Sequence, residues 1–168
     1  MSMKAAAMVW RQSPHDAPLS AEAPPRVARL SNAGSEIWLY VAQHLGVVVE
    51  SGVLDSRDPL GPTKYRALAK QGVLTGCLVE PSPLTTVSVH VHVPRSQPGH
   101  GGWRPPATAL LEIPSGRLCI EGRERVLDAP ERALAPSAVV WVPPGRYHVS
   151  LHACGESVRA DCWPAGWE

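Results

Sequence analysis

The chain has 168 residues, 44% of them hydrophobic, which is enough for one domain with a substantial core. Its 16 basic and 15 acidic residues give a formal net charge of +1, so we expect no broad charged surface that would attract nucleic acid or an anionic membrane. The 18 prolines and 14 glycines favour many short strands and turns over long helices.

The first 35 residues carry little structural pattern. Residues 11–35 contain several prolines and no apolar period, which predicts an extended or loosely attached segment before a single domain at 36–168. The apolar run near the N-terminus is shorter than the ~7–15 residues of a signal peptide. No stretch reaches the ~18 apolar residues of a membrane span. We therefore expect a cytoplasmic protein.

Two β-rich runs and one helix are predicted in the first half of the chain. The runs IWLYVA (37–42) and VVVESG (47–52) are separated by a short break and are expected to pair as a hairpin. Residues 62–72 predict a short helix, because apolar side chains recur there at helical spacing and Gly72 can cap its C-terminus.

From Val73 onward the pattern is that of strands. The segments 107–113 and 117–122 flank a Pro-Ser-Gly turn and are expected to form a hairpin. Seven to nine short strands with one minor helix favour a mainly β protein, an antiparallel β-sandwich or a barrel-like sheet. The predicted strands in this half are 72–80, 85–93, 107–113, 117–122, 138–142 and 146–153.

Two of these strands alternate between apolar and polar residues and carry four histidines. In 85–93 the valines point one way, and the polar face carries Ser88, His90 and His92. In 146–153 the apolar face carries Tyr147, Val149 and Leu151, and the polar face carries Arg146, His148, Ser150 and His152. Such a polar face is what a half-solvated sheet needs, so we favour histidines that face water or a partner.

The cysteines predict no metal site. Cys77, Cys119, Cys154 and Cys162 show no C-x-x-C spacing, so structural zinc is not favoured. We expect buried free thiols. A disulfide between Cys154 and Cys162 is the alternative if the compartment is oxidising.

A metal site is the alternative interpretation of the histidines. The segments HVH (90–92), EIPSGRLCIEG (112–122) and PPGRYH (143–148) resemble the motifs of cupins, which are metal-binding barrels. This resemblance implies a transition metal ion bound by His90, His92 and His148, with Glu112 or His152 completing the ligand set. Unlike a cupin, the chain has no carboxylate between Val93 and Gly99.

The order of the elements from 69 to 152 resembles the competence protein J family, whose members include the DNA-entry nuclease inhibitor. A helix ending at AKQG is followed by the strands GVLTGCLVE and TTVSVHVHVP. A variable loop then leads to ATALLEIPSGRLCIEG and to AVVWVPPGRYHVSLHA, which contains a Pro-Gly-x-Tyr turn. The resemblance implies a small bacterial β-sandwich that binds another protein and neutralises a toxin or nuclease.

Aromatic and arginine side chains on loops are the natural anchors for such a partner. The loop at 94–106 and the C-terminal segment supply the candidate partner-binding residues Arg95, His100, Trp103, Arg104, Trp163 and Trp167. The alternative is that Trp103 packs under its own loop and Trp163 covers the core.

These observations favour a non-enzymatic inhibitor of the immunity-protein type, which occludes the active site of a protein toxin or effector and needs no cofactor. A nuclease is one candidate target. No G-x-S-x-G motif, phosphate-binding glycine loop or H-E-x-x-H motif occurs. The cupin-like metalloprotein is the alternative function. A carbohydrate-binding sandwich with exposed tryptophans is a third.

Overall fold

Two β-sheets packed against each other form the described part of the protein. The computed structural model describes residues 20–22, 24–42, 67–94, 109–129 and 135–165. Within these ranges, nine strands have four or more residues and β1 has three. The elements are β1 (Ser20–Glu22), β2 (Arg26–Asn32), β3 (Glu36–Tyr40), β4 (Leu74–Leu78), β5 (Ser82–Pro94), β6 (Ala109–Ile113), β7 (Arg117–Gly122), α1 (Arg123–Asp128), β8 (Ala138–Trp141), β9 (Gly145–Cys154) and β10 (Ser157–Pro164).

The larger sheet has the strand order β1-β5-β10-β9-β6, and β2 also pairs with β5. The smaller sheet has the order β4-β3-β7-β8. The predicted mainly β sandwich is confirmed, and the two sheets do not close into a barrel. The strands were predicted to pair antiparallel, but β5 and β10 run parallel. No helix in the described ranges is long and apolar enough to cross a membrane.

The main core lies between the two sheets, since alternate residues of each strand point inward. The predicted inward faces are confirmed for Val87, Val89 and Val91 of β5 and for Tyr147 and Val149 of β9, which are all buried. The period-2 pattern of these strands therefore identified core residues correctly.

Two helical segments cover the outer face of the smaller sheet. Trp38 and Tyr40 of β3 are buried there in a second apolar cluster. Leu68, from helical residues 67–70, and Val126 of α1 belong to the same cluster. No helix was predicted at α1, whose inner face is marked by only one buried side chain, Val126.

The predicted helix cap at Gly72 is confirmed. Gly72 has a φ of +71°. Its N–H donates to the carbonyl of Ala69 (3.1 Å), and the N–H of Val73 donates to the carbonyl of Leu68 (3.1 Å). These two bonds form a Schellman motif, which favours glycine because other residues are strained at positive φ.

Part of the segment that was predicted to be extended or loosely attached belongs to the sandwich. Residues 26–32 form β2, which pairs with β5 and places Ala28 and Leu30 in the core. The alternation of this strand was not recognised because its inward positions include a small residue and a polar one, Ala28 and Asn32. Residues 1–19 lie outside the described residues.

One predicted hairpin extends beyond the described residues, and the other is contradicted by the strand pairing. Residues 47–52 lie outside the described residues, but over 37–40 both edges of β3 are already paired, with β4 and with β7. The hairpin of 107–113 with 117–122 is wrong. β6 pairs with β9 in the larger sheet, while β7 pairs with β3 and β8 in the smaller one.

The chain therefore crosses between the sheets at 114–116, and it does so again at 142–144. The two crossings lie side by side, because β6 pairs with β9 and β7 with β8. The N–H of Val142 donates to the carbonyl of Gly116 (2.8 Å), and the N–H of Gly116 donates to that of Ile113 (3.1 Å). The hydroxyl of Tyr147 donates to the carbonyl of Pro143 (2.5 Å) and fixes the second crossing.

Gly116 and Gly145 provide a matched test of this arrangement. Gly116 has a φ of +75°, and a Cβ there would collide with the carbonyl oxygen of Val142. At Gly145 a Cβ would make only an ordinary contact, 3.7 Å from the ring of Tyr147. We expect Gly116→Ala to lower the free energy of unfolding by at least about 1–3 kcal/mol, and Gly145→Ala to change it by less than about 1 kcal/mol. Urea denaturation measures both, and equal effects would contradict the described crossing.

All four cysteines are free, so the alternative disulfide is absent. Cys154 is exposed at the end of β9, while Cys162 is buried in the core, so their sulfurs do not meet. Burial raises the pKa of Cys162 to about 12 and that of Cys77 to about 11. It also raises the pKa of Cys119.

Thiol titration of the native protein should therefore find one fast-reacting cysteine. The thiolate is the reactive form, and only Cys154 is exposed. We expect one equivalent to react rapidly with a thiol-specific disulfide reagent at about pH 8, and four equivalents in denaturant. The fast phase should vanish in Cys154→Ser and persist in Cys77→Ser. A fast phase that survives Cys154→Ser would contradict the described burial.

Candidate functional site

The four histidines lie on the outer face of the larger sheet. This surface, called here the histidine face, is formed by side chains of β5, β10 and β9 that point away from the core. Register places His90 beside Asp161, and Asp161 beside Ser150. The members of the histidine face are Ser88, His90, His92, Arg159, Asp161, Trp163, His148, Ser150 and His152.

His92 does not face water as the sequence analysis expected. It is 5% exposed, and its ring stacks on the indole of Trp163 with centroids 4.8 Å apart. Its Nε2 lies 2.8 Å from Oδ1 of Asp161. The prediction of a solvated face holds for His152, which is exposed, but is wrong for His92 because two β10 side chains cover its ring.

Asp161 is the centre of a buried ionic network. Nε and Nη2 of Arg159 donate to its carboxylate at 2.9 to 3.2 Å, in addition to the bond with His92. Burial alone would raise the pKa of Asp161. The hydrogen bonds from His92 and Arg159 outweigh this effect and hold the pKa below its ordinary value. Asp161 is therefore an anion at neutral pH, and His92 donates the hydrogen bond.

The alternative metal ligands do not converge. His90 and His92 are on β5, whereas His148 and His152 are on β9, and β10 lies between them. Two strand spacings separate such backbones by about 9–10 Å. Glu112 forms an ion pair with Arg146 at 3.1 Å. No group of three or more His, Cys, Asp or Glu side chains within the described residues could hold a metal ion.

The histidine face also lacks the geometry of a catalytic triad. A triad requires one histidine that contacts both a nucleophile and a carboxylate. Here Ser150 is hydrogen-bonded to His152 (3.0 Å), while the carboxylate of Asp161 is bonded to His92. Among the described residues the two pairs share no histidine, so the arrangement does not activate the serine hydroxyl.

Most of the predicted partner-binding residues lie outside the described residues: Arg95, His100, Trp103, Arg104 and Trp167. The exception is Trp163, which is 4% exposed and packs against His92. Its indole thus lies over His92 on the outer face of the larger sheet.

Trp141 is an exposed aromatic residue that the sequence analysis did not select. It is 63% exposed at the end of β8, and the neighbouring Val140 and Val142 are buried. Of the tryptophans and tyrosines that the structure describes, it alone is exposed. The signal was available, because the two valines fix the phase of the strand and direct the intervening indole outward.

The exposed indole stands at the end of the sandwich where the chain crosses between the sheets. We call this surface the crossing end. Its exposed residues lie in or next to the two crossings, which Gly116 and Tyr147 hold in place. The partly exposed Arg117 lies opposite Trp141 in the pairing of β7 with β8. The exposed residues of the crossing end are Pro114, Ser115, Trp141, Pro143 and Pro144.

Comparison with known proteins identifies two solved structures of similar fold. Crocagin biosynthetic gene J is 15% identical, with a TM-score of 0.49 over 87% of this chain and 98% of that chain. ComJ from Bacillus subtilis, an inhibitor of the DNA degrading activity of NucA, is 8% identical, with a TM-score of 0.45 over 88% of this chain and 99% of that chain. No family model and no curated protein matches the chain.

The resemblance to the competence protein J family that was predicted from the order of the elements is confirmed as a likeness of fold, with ComJ among the similar structures. At 15% and 8% identity, this likeness transfers no residue role to the chain.

The ionic network should make the stability of the protein pH-dependent. The pKa of Asp161 is lowered on folding, so its contribution is complete above the ordinary carboxyl value of 3.8 and is lost as the pH falls below it. We expect Asp161→Asn to lower the free energy of unfolding by about 3–5 kcal/mol at neutral pH, because it leaves the largely buried Arg159, whose side chain is 13% exposed, without its counterion. The difference in the free energy of unfolding between this variant and the wild type should become smaller at acidic pH.

Urea denaturation from neutral to acidic pH tests this expectation. Glu112→Gln is the matched control, because its ion pair with Arg146 is solvent-exposed and should contribute less than about 1 kcal/mol. A stability difference between wild type and Asp161→Asn that stays constant as the pH falls below 3.8 would contradict the described network.

Proposed function

We propose that this protein is a non-enzymatic inhibitor that binds another protein and occludes its active site. The finer form of the proposal is an immunity protein in the bacterial cytoplasm whose partner is a toxin or effector, with a nuclease as the first candidate. The observation that supports binding is Trp141, a 63% exposed indole on a backbone that hydrogen bonds hold in place.

The crossing end suits recognition of a protein for energetic reasons. Exposed tryptophans and arginines are the side chains most often found at binding hot spots, and Arg117 lies opposite Trp141. The flanking prolines have few backbone conformations, and Tyr147 anchors the second crossing. A surface that is already ordered loses little conformational entropy on binding, so more of the contact energy remains as affinity.

The described side chains also support a binding role over catalysis. The serine and carboxylate of the histidine face contact different histidines. Burial raises the pKa of Cys77, Cys119 and Cys162, which disfavours the nucleophilic thiolate at these three positions.

Trp141→Ser tests the proposed surface. The indole is 63% exposed and points away from the core, so the variant should keep the stability of the wild type. We expect its affinity for the partner to fall by about 30-fold or more, the equivalent of a hot spot of about 2 kcal/mol. Val27→Ser is the matched control, because this 51% exposed side chain lies on β2 in the other sheet and its loss should leave affinity unchanged.

The partner to test is the toxin or effector encoded beside this protein, with co-purification, calorimetry and a nuclease assay as readouts. Stoichiometric binding with loss of the partner's activity is expected. The absence of both a complex and protection of cells would refute the inhibitor function. Wild-type affinity in Trp141→Ser would instead refute the crossing end as the interface.

A further inference from the structure

An open pocket lies at the end of the sandwich opposite to the crossing end. Its volume is about 520 Å³, within the range of ligand-binding clefts. It is formed where the connection from β4 to β5 meets the turn between β9 and β10. The lining residues are Ser35, Leu78, Val79, Glu80, Pro81, Ala153 and Gly155.

Backbone hydrogen bonds hold the walls of this pocket in place. The N–H of Val79 donates to the carbonyl of Ser35 (2.9 Å), and the N–H of Glu80 donates to the carbonyl of Gly155 (3.1 Å). The first bond lies at the start of β3 and the second at the turn that leads into β10. The pocket is therefore built from both sheets.

Apolar side chains are exposed in the pocket and on the strand that follows it. Leu78 is 73% exposed in its wall, and Pro81 is exposed at its edge. Leu84, 54% exposed, follows on β5. Its N–H is bonded to the hydroxyl of Ser82 (3.1 Å), and this hydroxyl donates to Oε2 of Glu156 (2.7 Å). Large apolar residues exposed around a cleft are typical of binding surfaces.

Two carboxylates border this apolar surface. Glu80 and Glu156 are both exposed, and Oε2 of Glu80 lies 3.9 Å from where a Cβ at Gly155 would stand. Neither carboxylate forms a salt bridge with a basic side chain within the described ranges. The rim therefore carries negative charge that a cation from another molecule can neutralise.

We propose that this pocket binds a lysine or arginine side chain, flanked by apolar residues, from the polypeptide of a partner. The aliphatic stem of such a side chain covers Leu78 and Pro81 while its charged end reaches Glu80 and Glu156. The neighbouring apolar residues cover the exposed leucines. One extended cationic segment thus covers the apolar side chains and neutralises the carboxylates of this surface.

This site is separate from the crossing end. β9 runs from Gly145 at the crossing end to Cys154 at the pocket, and a ten-residue strand spans about 30 Å. The proposal does not depend on the inhibitor function, since it concerns different residues. Two sites at opposite ends would allow the protein to contact two partner segments at the same time.

The experiment is an NMR titration of the isotopically labelled full chain with three probes. These are the blocked peptides Leu-Arg-Leu and Leu-Glu-Leu and the small cation argininamide. We expect the arginine peptide to shift the amide signals of Val79, Glu80, Gly155 and Glu156 in a saturable manner, and more weakly at high salt. The glutamate peptide should produce no such shifts, and argininamide should bind at least tenfold more weakly.

The double variant Glu80→Gln with Glu156→Gln should bind the arginine peptide at least tenfold more weakly than the wild type. Glu112→Gln removes an exposed carboxylate at the other end of the sandwich and should bind like the wild type. Far-ultraviolet circular dichroism verifies that all variants are folded. Equal binding by the double variant, equal response to the glutamate peptide, or binding of argininamide as tight as that of the arginine peptide would overturn the proposal.

Discussion

The rest of the sandwich depends on two neighbouring segments in which the chain crosses from one sheet to the other. At 114–116 and 142–144 the backbone leaves one sheet and enters the other. The bond between Val142 and Gly116 joins the two crossings, and only glycine fits at this point. Four strands, β6 to β9, are thereby assigned to their sheets, and the exposed indole of Trp141 is directed away from the core by the same geometry.

The two outer faces of the sandwich are stabilised by different physics. On the smaller sheet, helical residues bury Trp38 and Tyr40 in an apolar cluster. On the larger sheet, the carboxylate of Asp161 is satisfied by Arg159 and His92, and Trp163 covers the imidazole. A buried charge is tolerated when its hydrogen-bonding capacity is filled, so a polar face can lie largely out of contact with water.

The sequence predicted the structural features that depend on the pattern of neighbouring residues. Period-2 alternation identified the inward residues of β5 and β9, and glycine chemistry identified the cap at Gly72. Local pattern does not encode which distant strand is the neighbour, so the crossing at 114–116 was interpreted as a hairpin. The burial of His92 depends on β10, which contacts it across 69 residues of sequence. Trp141 could have been found from the phase of Val140 and Val142.

The position of β10 has a consequence for synthesis on the ribosome. The last described strand, Ser157–Pro164, lies between β5 and β9 in the middle of the larger sheet. In a nascent chain that does not yet contain β10, the edges of β5 and β9 that face each other have no strand to pair with. The larger sheet is therefore completed only after residues 157–164 have been translated, and its folding requires contacts of high sequence separation, which form slowly.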